Sequence, residues 1–389
     1  MRILYVADGR SPTAINWMRY FVESGHEVHL ASSFASKPDL DLASLTIVPV
    51  AFSGAASAKP GDQSGARRLL PTSARTRLRQ WLGPFTLRRA AKALRAVAEE
   101  VQPDLVHAMR IPFEGMLAAE AGLSAPVITS VWGNDFTLHA PSSPLMGRAT
   151  RRTVWRTSAL HSDTQRDLEL AQQWGFDPEK PSIVLPGNGG IRADIFYPLP
   201  EATTPSQVKA RVQVINPRGM RAYVRNDTFF RAIPLVLRKR PEVRFLCPSM
   251  EGEPEAEKWV RDLKLESYVQ LMPRLGPRAM ADAYHSSQVM VSPSAHDGTP
   301  NTLLEAMACG VFPVLGDIAS VREWIRDGEN GLLADIGSPQ ALADAIIQAL
   351  KDAELRAQAA KINTELIAER AEYGSVMTKA EAFYQQILA

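Results

Sequence analysis

Two carboxylates, Asp297 and Glu305, stand eight positions apart on either side of Gly-Thr-Pro-Asn-Thr-Leu-Leu. Between them Gly298 lets a ligand approach the backbone. The amides of Thr299, Asn301 and Thr302 head a segment with helical spacing, in which Leu303, Leu304 and Met307 share one face. The partial positive charge of a helix N-terminus suits an anion, so the stretch predicts a seat for phosphate. Carboxylates that close to a phosphate would repel it, and they fit better as acceptors of hydrogen bonds from neutral hydroxyls such as those of a sugar. The plainer reading makes Asp297 a helix cap and Glu305 a solvated helix residue. A second set of candidates is the basic loop carrying Arg218, Arg221 and Arg225, which follows the apolar run Val212 to Asn216. Planar guanidinium groups bind phosphate in two-pronged fashion, and the plainer reading here is a basic loop on a helix-capping turn.

These residues need a scaffold, and the sequence around them spells one. Val289 to Val291 reads as a buried strand, Gly310 as a helix C′ residue and Val311 to Leu315 as the next strand. Strand, loop, helix, strand is the unit of an open α/β sheet, which places its ligands at the carboxyl ends of the strands. The same grammar recurs. Ile3 to Ala7 runs into Asp8-Gly9, then a helical pattern through Trp17, Tyr20 and Phe21, then the strand Val28 to Ala31. Asp104 to Ala108, with His107 near its end, and Pro126 to Val131, ending in Trp132-Gly133-Asn134-Asp135, continue the series with Ala159 to Ser162 and Ile183 to Leu185. Val212 to Asn216, Val243 to Cys247 and Val269 to Leu271 extend it into the second half. Helical patterns at Pro339 to Leu350, Ala353 to Arg370 and Ser375 to Leu388 close the chain. At 389 residues the chain exceeds one ordinary core. The expected fold is therefore α/β, two doubly wound Rossmann-like domains facing a central cleft, with Glu201 to Ser206 as linker. G-x-G-x-x-G is missing after the first strand, which weighs against a dehydrogenase, and Gly9 reads instead as room at the cleft. A lone His such as His107 is more often a packing residue than a ligand.

Net charge is only +2, which calls for no nucleic-acid partner. Cys247 and Cys309 form neither a disulfide framework nor a metal cluster, and Asp39-Leu40-Asp41 lies apart from any phosphate loop, so no metal and no cofactor is expected. The N-terminus enters a strand at once, and no run of about 18 apolar residues occurs, so a cytoplasmic location is expected. One membrane role stays open. From Gln63 to Ala98 nine Lys and Arg occur without an acidic residue, interleaved with Trp81, Leu82 and Phe85. That composition suits peripheral contact with the anionic inner face of a membrane, or else a solvated helix face. Residues 53–65 have flexible-loop composition.

The stretch from Asp297 to Gly310, ending in Ala-Met-Ala-Cys-Gly, resembles the donor-site signature of family-4 retaining glycosyltransferases, in which two acids flank seven residues. Pro313 and Val314, Glu323-Trp324-Ile325 and Asp327 to Leu333 continue the pattern. The family's first acid is usually Glu, and this chain has Asp297. The resemblance implies the GT-B architecture, with an acceptor-side domain over 1–198, a nucleotide-sugar domain over 199–371 and a last helix, about 372–389, returning to the first domain. It implies that Asp297 contacts the donor sugar and Glu305 the ribose. Arg218, with Arg221 or Arg225 in place of the usual Lys, would contact the diphosphate, and the loop at Gly9 would approach the donor. On the acceptor side it implies roles for His107, Gly133 and Asp135, with Trp132 where the family has His. The reaction implied is metal-free transfer of a hexosyl group from a nucleotide diphosphate sugar to an acceptor hydroxyl, on a sugar, lipid-linked sugar or small molecule, with retention. Glycan, glycolipid or cell-surface polysaccharide synthesis is the setting. A nucleotide-sugar epimerase, a non-catalytic nucleotide-sugar binding protein and a membrane-surface adaptor remain as alternatives.

Overall fold

The computed structural model describes residues 1–51, 53, 72–199 and 212–389, and of 72–80 and 82 the backbone alone. The expected linker at 201–206, the loop over 54–65 and the first part of the basic segment, 63–71, lie outside the described residues.

Residues Met1–Gly189 with Ser375–Ala389 form one compact unit and Gly190–Gly374 another. The first contains β1 (Arg2–Ala7), α1 (Pro12–Glu23), β2 (Glu27–Ser32), β3 (Ser44–Ile47), α2 (Thr72–Val101), β4 (Leu105–Ala108), α3 (Met116–Ala121), β5 (Val127–Val131), α4 (Pro144–Arg156), β6 (Ala159–Ser162), α5 (Gln165–Gln173) and β7 (Ser182–Val184). Its seven strands are parallel in the order β3-β2-β1-β4-β5-β6-β7. Parallel strands covered on both faces must be apolar throughout, which is why β1 and β4 are buried along almost their whole length.

The second unit follows with β8 (Gln213–Ile215), α6 (Asn226–Lys239), β9 (Arg244–Pro248), α7 (Pro254–Asp262), β10 (Val269–Met272), α8 (Pro277–His285), β11 (Val289–Ser292), α9 (Asn301–Ala308), β12 (Phe312–Gly316), β13 (Leu332–Ala334), α10 (Pro339–Lys351) and α11 (Ala353–Arg370). Its six parallel strands run β10-β9-β8-β11-β12-β13. Chain order reverses direction between β8 and β11, which is where such sheets bind ligands. On α9, Leu303, Leu304 and Met307 are fully buried, each contributing about 1.5–3 kcal/mol of apolar burial that pins the helix to the sheet. The corresponding reversal in the first unit falls between β1 and β4. The last helix, α12 (Tyr373–Leu388), belongs from Ser375 onward to the first unit. Its buried face carries Val376, Met377, Ala380, Phe383 and Tyr384, with the Tyr384 ring stacked on Phe21 at 4.7 Å.

Candidate active site

Two loops at the β8/β11 reversal are clamped together. Asn216, fully buried where β8 ends, donates to Asn226 Oδ1 at 3.1 Å and accepts from the Arg218 amide at 3.2 Å. Asn226 in turn donates to the Gly219 carbonyl at 2.9 Å. Gly219 has φ +63, and a Cβ there would sit 3.2 Å from Ser249, so glycine suits both the backbone and the packing. The end of this loop then pairs with the loop after β11. Val224 bridges Ser294, the Ala295 amide donates to the Tyr223 carbonyl and the Arg225 amide to that of Pro293, both at 2.8 Å.

That register brings Arg218 onto Asp297. Nη2 donates to Asp297 Oδ2 at 2.6 Å and Nη1 to Thr302 Oγ1 at 3.3 Å, while Nε is buried without a partner among the described residues. The two side chains are only 9% and 15% exposed. Burial works against the guanidinium charge, but the fields of Asp297, Tyr223, Tyr284 and Glu305 outweigh it and hold the Arg218 pKa above its ordinary value. Asp297 is thus not the helix cap of the plainer reading. Pro300 occupies that position, its carbonyl accepting from the Leu303 and Leu304 amides, so Asn301 and Thr302 form the open first turn of α9. The loop is pinned from behind. Ser320 Oγ donates to the Asp297 carbonyl at 2.8 Å and Trp324 Nε1 to Thr299 Oγ1 at 3.0 Å, with Gly298 and Thr299 both buried.

Glu305 lies about one turn along α9. The Tyr284 hydroxyl on α8 is 3.2 Å from its Oε2 and 3.1 Å from the Thr302 carbonyl. A phenol has one proton to share between those acceptors. Burial pushes the Glu305 carboxyl up to about 7, and the Tyr284 bond and the Arg218 charge offset only part of that rise. It is not the solvated residue of the plainer reading. Of the other two arginines, Arg221 is exposed and donates to the Arg218 carbonyl at 3.2 Å, and Arg225 is paired with Asp227 at 2.8 and 2.9 Å. Neither guanidinium is drawn to Asp297. Sequence reasoning missed Asn216, Tyr284 and Ser320 as site residues, since their importance follows from their partners, and it read Trp324 only as part of the pattern downstream of the signature.

In the first unit the expected residues behave differently. Asp135 is 1% exposed, its Oδ1 accepting from Arg110 Nη2 at 2.8 Å and its Oδ2 from the Ile111 and Trp132 amides at 3.1 Å each. Such an enclosed carboxylate ties the turn after β5 to the loop after β4. Arg166 Nη2 holds the Gly133 carbonyl at 2.8 Å, and the Arg110 guanidinium lies 5.2 Å from the Trp132 ring centre. Gly9 donates its amide to Ser32 Oγ at 3.1 Å, and a Cβ on it would fall 2.3 Å from Ser36 Oγ, so the expected room is filled by packing.

His107 is fully buried, which removes it from any acceptor-facing surface; the packing reading of this residue is the one the structure has. Its partners define a chain with only one consistent direction. His161 Nε2 faces the Leu185 carbonyl at 3.0 Å and must carry its proton, leaving Nδ1 to accept from Ser130 Oγ at 2.8 Å. Ser130 then accepts from His107 Nε2 at 2.7 Å, and His107 Nδ1 accepts from the Tyr384 hydroxyl. Trp17 Nε1 donates to the Tyr384 oxygen at 3.0 Å and the Tyr5 hydroxyl does so at 3.3 Å. Burial lowers both histidines, His161 to about 4, so both rings are neutral at neutral pH.

Comparison with known proteins converges on one family. A model of glycosyl transferases group 1 matches residues 219–352, and one of the glycosyl transferase 4-like domain matches residues 9–187. A D-inositol 3-phosphate glycosyltransferase of Streptomyces coelicolor is 25% identical over 230 residues, 52% of this chain and 49% of that protein. An N-acetyl-alpha-D-glucosaminyl L-malate synthase of Bacillus anthracis is 32% identical over 110 residues, 28% and 29% of the two chains. The chain spans about half the length, or less, of the curated relatives it matches. In fold, it matches HepE of Anabaena, solved with UDP and glucose, at a TM-score of 0.74 over 99% of this chain and 100% of that one, with 16% identity. Sucrose-phosphate synthase of Thermosynechococcus elongatus matches at 0.76 over 100% and 99%, with 14% identity. At these identities the likeness carries the two-domain GT-B fold.

Proposed function

The chain belongs to the family-4, group 1 glycosyltransferases, and from that premise we propose that it moves a hexosyl group from a nucleoside diphosphate sugar to an acceptor hydroxyl, with retention at the anomeric carbon and without a metal ion. Synthesis of a glycan, glycolipid or cell-surface polysaccharide is the setting we assign to it. The observation that carries the reading is a buried guanidinium, Arg218, with an unfilled Nε donor beside the open first turn of α9. A departing diphosphate develops charge as the C–O bond to its β-phosphate breaks, and preorganised donors aimed at that charge do the work a metal would otherwise do. The acceptor oxygen bonds to the anomeric carbon on the same face, and its proton passes to the departing phosphate oxygen. Glu305, eight residues on from Asp297, accepts from the ribose hydroxyls, and Arg221 and the amides of Asn301 and Thr302 supply further diphosphate contacts. Asp135 and Gly133 act on the acceptor side by shaping the loop that carries Trp132.

HepE was solved with UDP, so UDP-sugars are the first donors to try, and inositol 3-phosphate and L-malate enter the acceptor panel from the names of the relatives. In such an assay Arg218→Ala should lower turnover at least about 100-fold in a folded protein, the usual loss for one transition-state donor. Activity should survive a chelator. Near-normal turnover of the variant, or a strict need for Mn²⁺ or Mg²⁺, overturns this mechanism, and donor consumption without a glycosylated product points to an epimerase.

We also propose peripheral contact with an anionic membrane from the cytoplasmic side. Trp81 and Phe85, one turn apart on α2, are 54% and 69% exposed, and exposed Arg88, Arg89 and Lys92 follow them on the same helix. Among the described residues no helix is long and apolar enough to cross a membrane. Interfacial aromatics beside cations are what an anionic lipid surface attracts. Co-sedimentation with phosphatidylserine vesicles should fall with added salt and with Trp81→Ser/Phe85→Ser, and phosphatidylcholine vesicles should bind poorly. Equal binding to both kinds of vesicle, or to neither, rejects it.

A further inference from the structure

We infer that Asp297 is a positioning residue for Arg218, one that holds the guanidinium in place for the diphosphate, and not a group that binds the hydroxyls of the donor sugar. The inference rests on the glycosyltransferase reading and gives one member of its signature a different task.

A guanidinium that is only 9% exposed is costly to bury alone, and in the unliganded protein Asp297 supplies the neutralising charge at 2.6 Å. Aspartate is one methylene shorter than the usual glutamate of this position, and its carboxylate is drawn to the arginine. The backbone cannot readily release it, because Ser320 fixes the Asp297 carbonyl and the Val224–Ser294 bridge fixes the two loops. The remaining geometry fits an incoming anion. Of the five N–H donors of a guanidinium, Asp297 and Thr302 engage one each, the Thr302 contact is long at 3.3 Å, and Nε is buried with no partner. A buried donor left unmade is unfavourable until an acceptor arrives, and a phosphate oxygen is the acceptor that the adjoining first turn of α9 also favours. A guanidinium has more donors than Asp297 and Thr302 occupy, which lets Arg218 bond the carboxylate and a phosphate at once.

Isothermal titration calorimetry separates the two roles. The probes are UDP, UMP and UDP-glucose, replaced by the corresponding guanosine or adenosine set if the wild type binds GDP or ADP instead, and the proteins are the wild type, Asp297→Asn, Asp297→Glu, Arg218→Lys and each Asp297 variant combined with Arg218→Lys. A positioning role predicts that Asp297→Asn weakens UDP about tenfold or more while UMP changes by less than about threefold, the loss expected of a charge-assisted bond to the outer phosphate. It also predicts that the double variant is within about twofold of Arg218→Lys alone, because the second change removes a contact already lost. If Asp297→Asn does not fold, Asp297→Glu gives the same cycle. The longer carboxylate displaces the guanidinium, so UDP weakens when Arg218 is present and is unchanged in Arg218→Lys. UDP affinity that stays at the wild-type level while UDP-glucose weakens shows that Asp297 reads the sugar, and additive losses show independent roles; either overturns the inference. A wild-type protein that bound none of UDP, GDP and ADP would instead remove the glycosyltransferase reading, and this inference with it.

Discussion

With the proposed ribose role of Glu305, binding and stability pull in opposite directions at this residue. Its carboxyl is raised from the ordinary 4.5 to about 7 by burial, so the folded protein holds a proton there that the unfolded chain has lost. Above pH 7 the folded protein carries an ionised, poorly solvated carboxylate, at a cost of about 3 kcal/mol by the shift in pKa, and that cost disappears as pH falls from 7 toward 4.5. A ribose hydroxyl donating to the ionised form would repay part of it. We therefore expect UDP affinity to rise between pH 6 and pH 8, and Glu305→Gln to abolish that rise while raising the melting temperature at pH 8 and leaving it little changed at pH 5. A variant that keeps the pH dependence of UDP binding would take Glu305 out of the ribose site. The motif made Asp297, Glu305 and Arg218 legible as a group, because their types and spacing are local. The Arg218–Asp297 pair was not legible, since it depends on which strands are neighbours, and nor was the rise of Glu305, which comes from burial that the Tyr284 bond and the Arg218 charge only partly offset. Packing was weighed for His107 but Asp135 was read without its burial, which periodicity does not report for a polar side chain beyond a strand end.

At the scale of elements, the sheet order explains why loops 79 residues apart at Arg218 and Asp297 share one site. β8 and β11 pair directly, Val214 opposite Val289, so the two loops leave adjacent strand ends. Most strands were legible from short apolar runs bounded by Gly, Pro and Asp; the structure lengthens β1, β2, β10 and β11, trims β4, β5 and β8, and adds β3 and β13, which were not read as strands. The attachment of α12 was not, because its apolar spacing says only that one face is buried. What fixes that face is Tyr384, whose hydroxyl joins Trp17 on α1, Tyr5 on β1 and His107 on β4. Tyr384→Phe keeps the ring stacked on Phe21 but leaves the Trp17 N–H and His107 Nδ1 buried and unsatisfied. Each orphaned group costs about 1–3 kcal/mol, so we expect a loss of at least about 2 kcal/mol by chemical denaturation, with no change in UDP affinity. A loss below about 0.5 kcal/mol, the range of ordinary surface substitutions, would mean that water or a rotated partner satisfies the chain.

At the scale of the whole molecule, the buried histidines of the first unit and Glu305 of the second respond to acid with opposite signs. In the first, His107 and His161 are buried neutral with pKa values below the ordinary 6.5, so the unfolded chain takes up protons that the folded unit refuses. Their contribution to stability is complete above pH 6.5 and is lost as pH falls toward 4, about 3 kcal/mol for His161 alone. Protonation would also reverse the donor at His161 Nδ1 or His107 Nδ1 and break the chain that ends on α12. In the second unit, Glu305 is relieved over nearly the same window. Asp194, Asp227 and Glu242, which their arginine partners hold below the ordinary carboxylate range, respond only at lower pH. A single melting curve would average the two effects and show little. Peptide-resolved hydrogen exchange, corrected for the intrinsic rate at each pH, keeps them apart. Between pH 7.5 and pH 5 we expect protection to fall in residues 128–131, 159–162 and 376–385 and to hold or rise in 213–216, 289–292 and 301–308, with UDP adding protection only to the second set. If both sets lose protection together, global charge and not these buried groups governs the acid response. A loss confined to 301–308 would show instead that the raised Glu305 is not the dominant titrating group of its unit.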